Sequence, residues 1–219
     1  MLGLALGRRC FHIIRQISTH ATISIKHSAF VLGMVAFRPK GGLMVNEDYG
    51  LFLIDWQARL FPAMPEPIAE KNLANAIRLK WISESLKLPI WVSEQYPKGL
   101  GSTLDVLQPV IAHEKTTFSA LGNDALLQSI LSAKPKHMII SGMETHICVY
   151  QTAMALIDHG IEPIIAIDAC LSRRKLDWRV AIDTLSVTGA KIMTTEMILF
   201  HLIQDASHPL FKEVSRRIK

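Results

Sequence analysis

From Asp48 onward, short apolar runs alternate with longer segments of helical period, and this alternation restricts the fold more than any other feature of the sequence. The pattern is typical of a parallel sheet covered by helices. Strands are expected at residues 50–54, 88–93, 137–141, 163–167 and 190–194, with a weaker one at 110–112. We therefore predict an α/β fold, a three-layer α/β/α domain with a mostly parallel, six-stranded, doubly wound, Rossmann-like sheet.

Helices are expected between these strands, at residues 69–86, 123–133, 145–159 and 177–188. Gly160 and Gly189 stand where C-terminal caps belong. Residues 200–219 also look helical and are mixed in character, so they pack either on their own domain or across a subunit interface. In a doubly wound sheet the ligand crevice lies at the carboxyl ends of the strands. The residues that carry chemistry are therefore expected just after strands.

Basic residues are unevenly distributed along the 219-residue chain, whose formal net charge is +5. Six of the 24 basic residues and none of the 19 acidic ones lie within residues 1–46. These six are Arg8, Arg9, Arg15, Lys26, Arg38 and Lys40. The 18 that remain balance the 19 acidic residues, so a single domain at residues 47–219 is near neutral. That balance gives no electrostatic reason to expect DNA or RNA as a partner.

Residues 1–46 are excluded from the domain because their composition is basic and acid-free. Two interpretations stay open: an organellar transit peptide, which is typically Arg-rich and acid-poor, or an untranslated segment before a true start at Met44. We expect a cytoplasmic protein, or a mitochondrial one if the segment is a transit peptide. The best apolar run, residues 29–37, is about half as long as a bilayer span. No membrane association is expected.

The chain has three cysteines, Cys10, Cys148 and Cys170, and no C-x-x-C pair. An odd, scattered set of this kind predicts neither a disulfide framework nor a structural zinc site. A reducing compartment fits it best. Cys170 is expected to be a structural, buried cysteine, which is the usual fate of a free thiol.

Three residues with reactive side chains follow predicted strands: Asp55, Lys115 and Cys148. Asp55 directly follows a core strand, where a carboxylate is costly unless it is paired or functional, although a helix N-cap is equally compatible. Lys115 taken alone is a solvated surface charge. Cys148 falls in the first turn of a helix, a position that favours the thiolate and suits a nucleophile; the alternative is a small buried apolar residue.

Three segments carry a resemblance to a known family: Leu-Ile-Asp-Trp-Gln at 53–57, Lys-Thr-Thr-Phe-Ser-Ala at 115–120, and Gly-Met-Glu-Thr-His-Ile-Cys at 142–148. In this order and spacing they resemble the isochorismatase-like cysteine hydrolases, which include nicotinamidases and N-carbamoylsarcosine amidohydrolases. Residues 94–101 resemble the branch of isochorismatase domain-containing proteins. The resemblance covers the chain from about residue 50 to its C-terminus.

The resemblance implies a catalytic triad of Asp55, Lys115 and Cys148. Cys148 would attack the carbonyl of a small amide or carbamoyl-type substrate to form a thioester, with Asp55 as acid and base and Lys115 as its partner. A non-proline cis peptide would fall between Met143 and Glu144 and aim the backbone N–H groups of Glu144 and Cys148 at the oxyanion. The side chain of Glu144 is not implicated. The expected activity is hydrolysis of a C–N bond.

No histidine lies between Asp55 and Pro109, so the metal site of many nicotinamidases is not expected, and neither is another cofactor. The family's true isochorismatases lack the cysteine, which argues against isochorismate as substrate. The substrate pocket is expected to involve Gln57, Tyr96, Phe118 and His146. For Tyr96 and Phe118 simple packing is the preferred interpretation, and for His146 a local hydrogen bond or cap is the alternative to a pocket role.

The family resemblance also implies a homo-oligomer that acts on a small-molecule substrate. The alternative function keeps the fold and loses the chemistry: an oligomeric, non-catalytic binding protein whose thiol senses oxidants. Such a sensor would need a resolving cysteine, and Cys170 is the one that the domain offers.

Overall fold

The computed structural model describes residues 46–219. The two interpretations of the N-terminal segment, a transit peptide or a start at Met44, fall outside the described residues. The domain boundary after residue 46 therefore stays a prediction. Among the described residues, no helix combines the length and the apolar character needed to cross a bilayer.

Six parallel strands form one sheet among the described residues, in the order β3-β2-β1-β4-β5-β6. The strands are β1 (Tyr49–Ile54), β2 (Ile90–Gln95), β3 (Ala112–Lys115), β4 (His137–Met143), β5 (Glu162–Leu171) and β6 (Lys191–Met193). This is the strand order of a doubly wound Rossmann-like sheet. The predicted fold class is confirmed, and every described strand is parallel.

The helices lie between and after the strands. They are α1 (Ile68–Ser85), the single turn α2 (Pro97–Leu100), α3 (Asp124–Ala133), α4 (Tyr150–Asp158), α5 (Lys175–Val187), α6 (Thr195–Ile203) and α7 (Phe211–Arg217). Gly160 and Gly189 follow α4 and α5 with φ angles of 74° and 102°, as expected of C-terminal caps.

Two apolar cores cover the two faces of the sheet. Alternate residues of β1 divide between them: Leu51 and Leu53 pack in the core that contains residues of α1, α6 and α7, whereas Phe52 and Ile54 pack in the core that contains residues of α3, α4 and α5. Because side chains alternate across a strand, a strand buried on both faces must be apolar throughout. This explains the uninterrupted apolar run that marked β1 in the sequence.

The strand order reverses direction between β1 and β4, and the two strands are hydrogen-bonded neighbours. From β1 the chain continues outward through β2 and β3, whereas β4, β5 and β6 continue on the other side. In open parallel sheets a ligand crevice lies at such a reversal, outside the carboxyl ends of the strands. The segments after Ile54 and after Met143 therefore flank the expected crevice.

Close contact between β1 and β4 at the crevice depends on Gly142. A Cβ added there would stand 2.7 Å from the Cβ of Ile54 and would also collide with the carbonyl oxygen of Ile54. We expect Gly142→Ala to lower the free energy of unfolding by about 3 kcal/mol, because the clash involves backbone that cannot move freely. Urea denaturation measures the loss.

The matched control for this substitution is Gly160→Ala. Gly160 has nothing within 4 Å of an added Cβ, so only its left-handed backbone opposes alanine. The expected cost is about 1 kcal/mol. Equal losses of unfolding free energy in the two variants would show that β1 and β4 can move apart at little cost to make room for a Cβ at position 142.

Several element boundaries differ from the sequence-based expectation. β5 occupies Glu162–Leu171 and not 163–167, and the helix expected at 145–159 begins as the π-helical turn Thr145–Val149 before α4. β2 ends at Gln95 and not at residue 93, and β3 occupies Ala112–Lys115 and not 110–112, so Lys115 is the last residue of its strand and not a residue beyond it. The C-terminal segment forms two helices, α6 and α7, because a turn around Gln204, with a φ of 57°, interrupts it.

Candidate active site

Asp55, Lys115 and Cys148 meet at the carboxyl ends of β1, β3 and β4. Lys115 Nζ lies 2.8 Å from Asp55 Oδ2 and 3.5 Å from Cys148 Sγ. The Cys148 thiol and the Asp55 carboxylate are also close enough to shift each other's pKa. Three residues separated by 60 and 33 positions along the chain therefore form one closed, buried contact group.

Asp55 directly follows β1 and turns the chain with a φ of 53°, a conformation that aspartate tolerates better than most residues. Its side chain is fully buried, and Oδ1 accepts a hydrogen bond of 2.8 Å from Ser93 Oγ. Burial raises the pKa of Asp55, and the ammonium of Lys115 opposes this increase. A carboxyl group whose pKa is raised toward neutrality is suited to both accepting and donating a proton.

Lys115 is buried, and oxygen atoms surround its ammonium group. Besides Asp55, Nζ donates to Gln95 Oε1 at 2.6 Å and approaches the carbonyl oxygens of Thr117 and Phe118 at 3.4 and 3.3 Å. Gln95 and Lys115 are register partners on β2 and β3, so the sheet itself aligns the two side chains. The solvated surface charge that Lys115 alone would suggest is excluded by its burial.

Cys148 lies in a π-helical turn, Thr145–Val149, that precedes α4. Val149 N donates to Glu144 O at 3.2 Å, five residues back, which closes the wider turn. Single π turns often occur at functional sites. Here the turn leaves the Cys148 side chain only 6% exposed, facing Asp55 and Lys115.

The thiolate that the helix-start position of Cys148 predicts is not the resting state of this residue. Burial, followed by the negative charge of Asp55, raises the pKa of the Cys148 thiol to about 12, and Lys115 lowers it only in part. The positive dipole at the start of one short turn lowers the thiol pKa less than desolvation and the neighbouring carboxylate raise it. The raised pKa favours a protonated thiol beside the Asp55 carboxylate.

We expect Cys148 to be alkylated slowly by iodoacetamide at pH 7, with a rate that continues to rise above pH 9, because the thiolate is the nucleophile. Asp55→Asn removes the negative charge that raises the thiol pKa and should speed alkylation about tenfold, since one pKa unit is tenfold in thiolate. Lys115→Met removes the favourable cation and should slow it. Mass spectrometry of labelled Cys148 gives the rates.

The peptide bond between Met143 and Glu144 is cis, as the resemblance predicts. The side chain of Glu144 accepts a hydrogen bond of 2.8 Å from Arg173 Nε, so its carboxylate is engaged away from the triad. The role of the backbone N–H groups of Glu144 and Cys148 toward an oxyanion stays a prediction.

Gln57 holds neighbouring segments of the site together through hydrogen bonds to their backbone. Its side chain is fully buried, and both ends of the amide are bound to backbone: Nε2 donates to Gln95 O at 3.1 Å and Gly101 O at 2.6 Å, and Oε1 accepts from Gln95 N at 2.8 Å. Every polar atom of Gln57 is already paired within the protein, and its contact with substrate stays a prediction. By fixing Gln95, it also fixes a partner of Lys115.

The interpretation that Tyr96 and Phe118 are buried packing residues was wrong. Tyr96 is 56% exposed and Phe118 is 53% exposed, so neither is a core aromatic. Tyr96 lines a 390 Å³ cavity together with Lys115. Contact of either ring with substrate stays a prediction.

The hydrogen bond of His146 is not a local one: Nδ1 lies 2.9 Å from Oγ of Ser172, 26 positions further along the chain. It also borders a 460 Å³ cavity together with Arg173, Arg174 and Asp177. Its proposed part in the substrate pocket stays a prediction.

Two supporting residues at the end of β2, Ser93 and Gln95, were missed in the sequence. Ser93 donates to Asp55, and Gln95 accepts from Lys115. Both are polar residues near the carboxyl end of the strand next to β1, and this position was the available signal. Within residues 46–219, no three His, Cys, Asp or Glu side chains are grouped as metal ligands would be.

Comparison with known proteins places this geometry in a family. Residues 49–197 match the isochorismatase domain. The bovine isochorismatase domain-containing protein 2 is 34% identical over 190 residues, which cover 85% of this chain and 90% of the relative.

Two solved structures share the fold. The MAR1 ribonuclease of Caenorhabditis elegans superposes with a TM-score of 0.74 at 29% identity, over 81% of this chain and 92% of its own. The YcaC gene product of Escherichia coli, an octameric hydrolase of unknown specificity, gives a TM-score of 0.72 at 23% identity, over 78% of this chain and 88% of its own. With more than half of its length matched by the family model, the chain belongs to the isochorismatase family of hydrolases.

Proposed function

We propose that the protein is a cysteine-dependent hydrolase of small amide or carbamoyl-type substrates. The observation that carries the proposal is the buried grouping of one thiol with one carboxylate and one ammonium: Lys115 Nζ is 2.8 Å from Asp55 and 3.5 Å from Cys148, and Asp55 raises the pKa of the Cys148 thiol. A nucleophile, a base within reach and a group that orients the base are the parts that covalent hydrolysis requires.

Because the thiol is protonated, the first step must combine nucleophilic attack with transfer of the thiol proton. As Cys148 Sγ attacks the carbonyl carbon, its proton passes to Asp55, so no free thiolate has to exist beforehand in the buried site. Lys115 stabilises the negative charge that moves from Asp55 to sulfur and then to the carbonyl oxygen. The result is a tetrahedral intermediate bonded to sulfur, with Asp55 protonated.

The second step returns the proton. Asp55 donates it to the leaving nitrogen as the C–N bond breaks, which releases ammonia or an amine and leaves a thioester on Cys148. A water molecule then attacks the thioester while Asp55 takes its proton. The C–S bond breaks, the acid is released, and the sulfur recovers the proton.

The oxyanion would be held by the backbone N–H groups of Glu144 and Cys148, as the family resemblance implies. Thr145 supports this assignment, because its buried Oγ1 has no hydrogen-bond partner among the described residues. A buried hydroxyl without a partner is costly, and a substrate oxygen would supply one. Tyr96, Phe118 and His146 are the exposed or half-exposed candidates for contact with the rest of the substrate.

Ribonuclease activity, in the name of one structural relative, is not supported by the charge of this chain. Beyond residue 46 there are 18 basic and 19 acidic residues, and RNA binding depends on basic surface. The redox-sensing alternative is not favoured either. Cys170, the resolving cysteine it requires, is fully buried and donates its thiol to Ile140 O at 3.5 Å.

The direct test incubates the full chain with a panel of small primary amides, carbamoyl compounds and nicotinamide and follows released ammonia. Rapid acid quench and peptide mass spectrometry should find an acyl group on Cys148 during turnover. Ammonia release without any acyl-Cys148 would reject the thioester mechanism, and release of product from vinyl ethers or esters alone would reject C–N specificity. The expected homo-oligomer is measured on the same sample by light scattering.

A further inference from the structure

The outer edge of β5 is left uncovered at its carboxyl end. β6 pairs only with Ile164, Ile165 and Ala166, whereas β5 continues to Leu171. α1 and α5 flank this uncovered part, and between them lies a cavity of 420 Å³. We call it the β5-edge cavity; its wall includes Ile68, Asn72, Asp168, Leu171, Lys175 and Trp178. No triad residue lines it.

The wall of the β5-edge cavity is apolar except at a few points. The side chain of Asn72 is the most informative of these, because it is 6% exposed, lines the cavity, and has no hydrogen-bond partner among residues 46–219. Its amide therefore offers two N–H donors and one acceptor oxygen to whatever enters the cavity.

Charges of both signs border the cavity. The carboxylate of Asp168 is held at the wall by Thr195, whose backbone N and Oγ1 donate to Oδ1 at 2.7 and 2.8 Å, and Lys175 contributes an ammonium. Lys175 is exposed, so its ammonium can be solvated, whereas the Asp168 carboxylate is fixed at the apolar wall and would repel an anionic ligand. This wall favours a neutral ligand over an anionic one.

The uncovered strand edge is poorly suited to an added peptide strand. Two carbonyl groups in this segment already accept side-chain hydrogen bonds: Asp168 O from Asn75 Nδ2 at 2.8 Å and Cys170 O from Trp178 Nε1 at 3.0 Å. Strand addition depends on free main-chain groups. The cavity volume instead falls in the range of small-molecule sites.

We propose that the β5-edge cavity is a second binding site, for a small neutral molecule with an aromatic or branched apolar body and one carboxamide-like group that pairs with Asn72. This site is separate from the triad, and the proposal does not depend on the proposed hydrolysis. One wall residue, Ser172, is hydrogen-bonded to His146 in the π-helical turn that carries Cys148. A ligand in the cavity would therefore lie next to a residue that contacts this turn.

Trp178 provides a local readout, because its indole N–H lies at the cavity and the chain has only four tryptophans. We would titrate the full chain carrying Cys148→Ala, which cannot form an acyl-cysteine with this primary amide, with benzamide at millimolar concentration and follow the indole N–H signals by NMR. Trp178→Phe assigns the signal, and Trp91, which donates to Ser129 Oγ and does not line the cavity, is the internal reference. The expected result is a saturable shift of Trp178 alone, with weaker binding of benzoate.

Asn72→Leu should weaken benzamide binding about tenfold, the effect of losing one or two hydrogen bonds in an apolar site. Ile68→Trp is a second variant, because Ile68 is 53% exposed at the cavity wall and can be enlarged without disturbing the core. It should abolish the Trp178 shift. The proposal would be overturned by no shift of the Trp178 signal, by an equal shift of all four indole signals, or by unchanged affinity in both variants. If a second copy of the chain covers the cavity, the Trp178 signal will not shift.

Discussion

Replacing Cys148 by alanine is expected to reduce amide hydrolysis by about 10⁴-fold or more, because a covalent mechanism has no alternative nucleophile once the thiol is gone. The fold should survive, since alanine fits the space of a small buried side chain and leaves the Asp55–Lys115 ion pair in place. Steady-state ammonia release on the best substrate of the panel measures the loss. Urea denaturation of the same preparation reports the fold.

Cys170→Ala is the matched control. Cys170 has the same side chain, packs in the same apolar core as Cys148, and also has its pKa raised to about 12 by burial. It differs in lacking contact with a carboxylate and an ammonium, because its thiol donates to the carbonyl oxygen of Ile140. We expect near-normal hydrolysis and a stability loss of about 1 kcal/mol. Equal loss of activity in the two variants would mean that thiol packing, not nucleophilic attack, explains the effect of Cys148→Ala.

The sequence was sufficient to predict the architecture because the strands are buried on both faces. β1 contains the uninterrupted apolar run Leu51–Ile54 and β4 the apolar run Met138–Ile140, and their order along the chain suits a doubly wound sheet. The same logic located the candidate site, since Asp55 and Cys148 follow the two strands at the reversal of strand order. Lys115 entered through the family resemblance, because a single lysine after a weak strand carries little information.

The features of the site that the sequence did not predict depend on distances across the sheet. Ser93 and Gln95 became visible as partners of Asp55 and Lys115 only once the register of β1, β2 and β3 was known. The protonation state of Cys148 was missed for the same reason. The sequence shows the start of a helix, whereas the pKa is decided by burial and by a carboxylate that lies 93 positions earlier in the chain.

Lys115→Met is expected to damage both stability and activity. The substitution leaves the Asp55 carboxylate fully buried without its counter-charge, a change that typically costs about 3 to 5 kcal/mol. Hydrolysis should fall by about 10³-fold, because Asp55 loses the partner that orients it and stabilises the charge moved during attack. Methionine is chosen because it is unbranched and fills most of the lysine volume without adding a polar group.

The double variant Asp55→Asn/Lys115→Met separates the two effects. It removes both charges, so stability should recover to within about 1 kcal/mol of the original protein, as expected when a buried ion pair is replaced by neutral groups. Asparagine also tolerates the left-handed backbone at position 55, where φ is 53°, and can still accept from Ser93. Activity should not recover, because the base is absent.

Gln95 loses its lysine partner both in the single Lys115→Met variant and in the double variant. The difference in the free energy of unfolding between the two variants therefore measures the cost of burying the Asp55 carboxylate without a counter-charge. Denaturation midpoints and ammonia release measured on both variants give the two outcomes. Recovery of hydrolysis together with stability would show that the ion pair is structural and that neither Asp55 nor Lys115 takes part in the chemistry. Stability that stays low in the double variant would show instead that packing around Lys115, and not charge burial, holds these strand ends together.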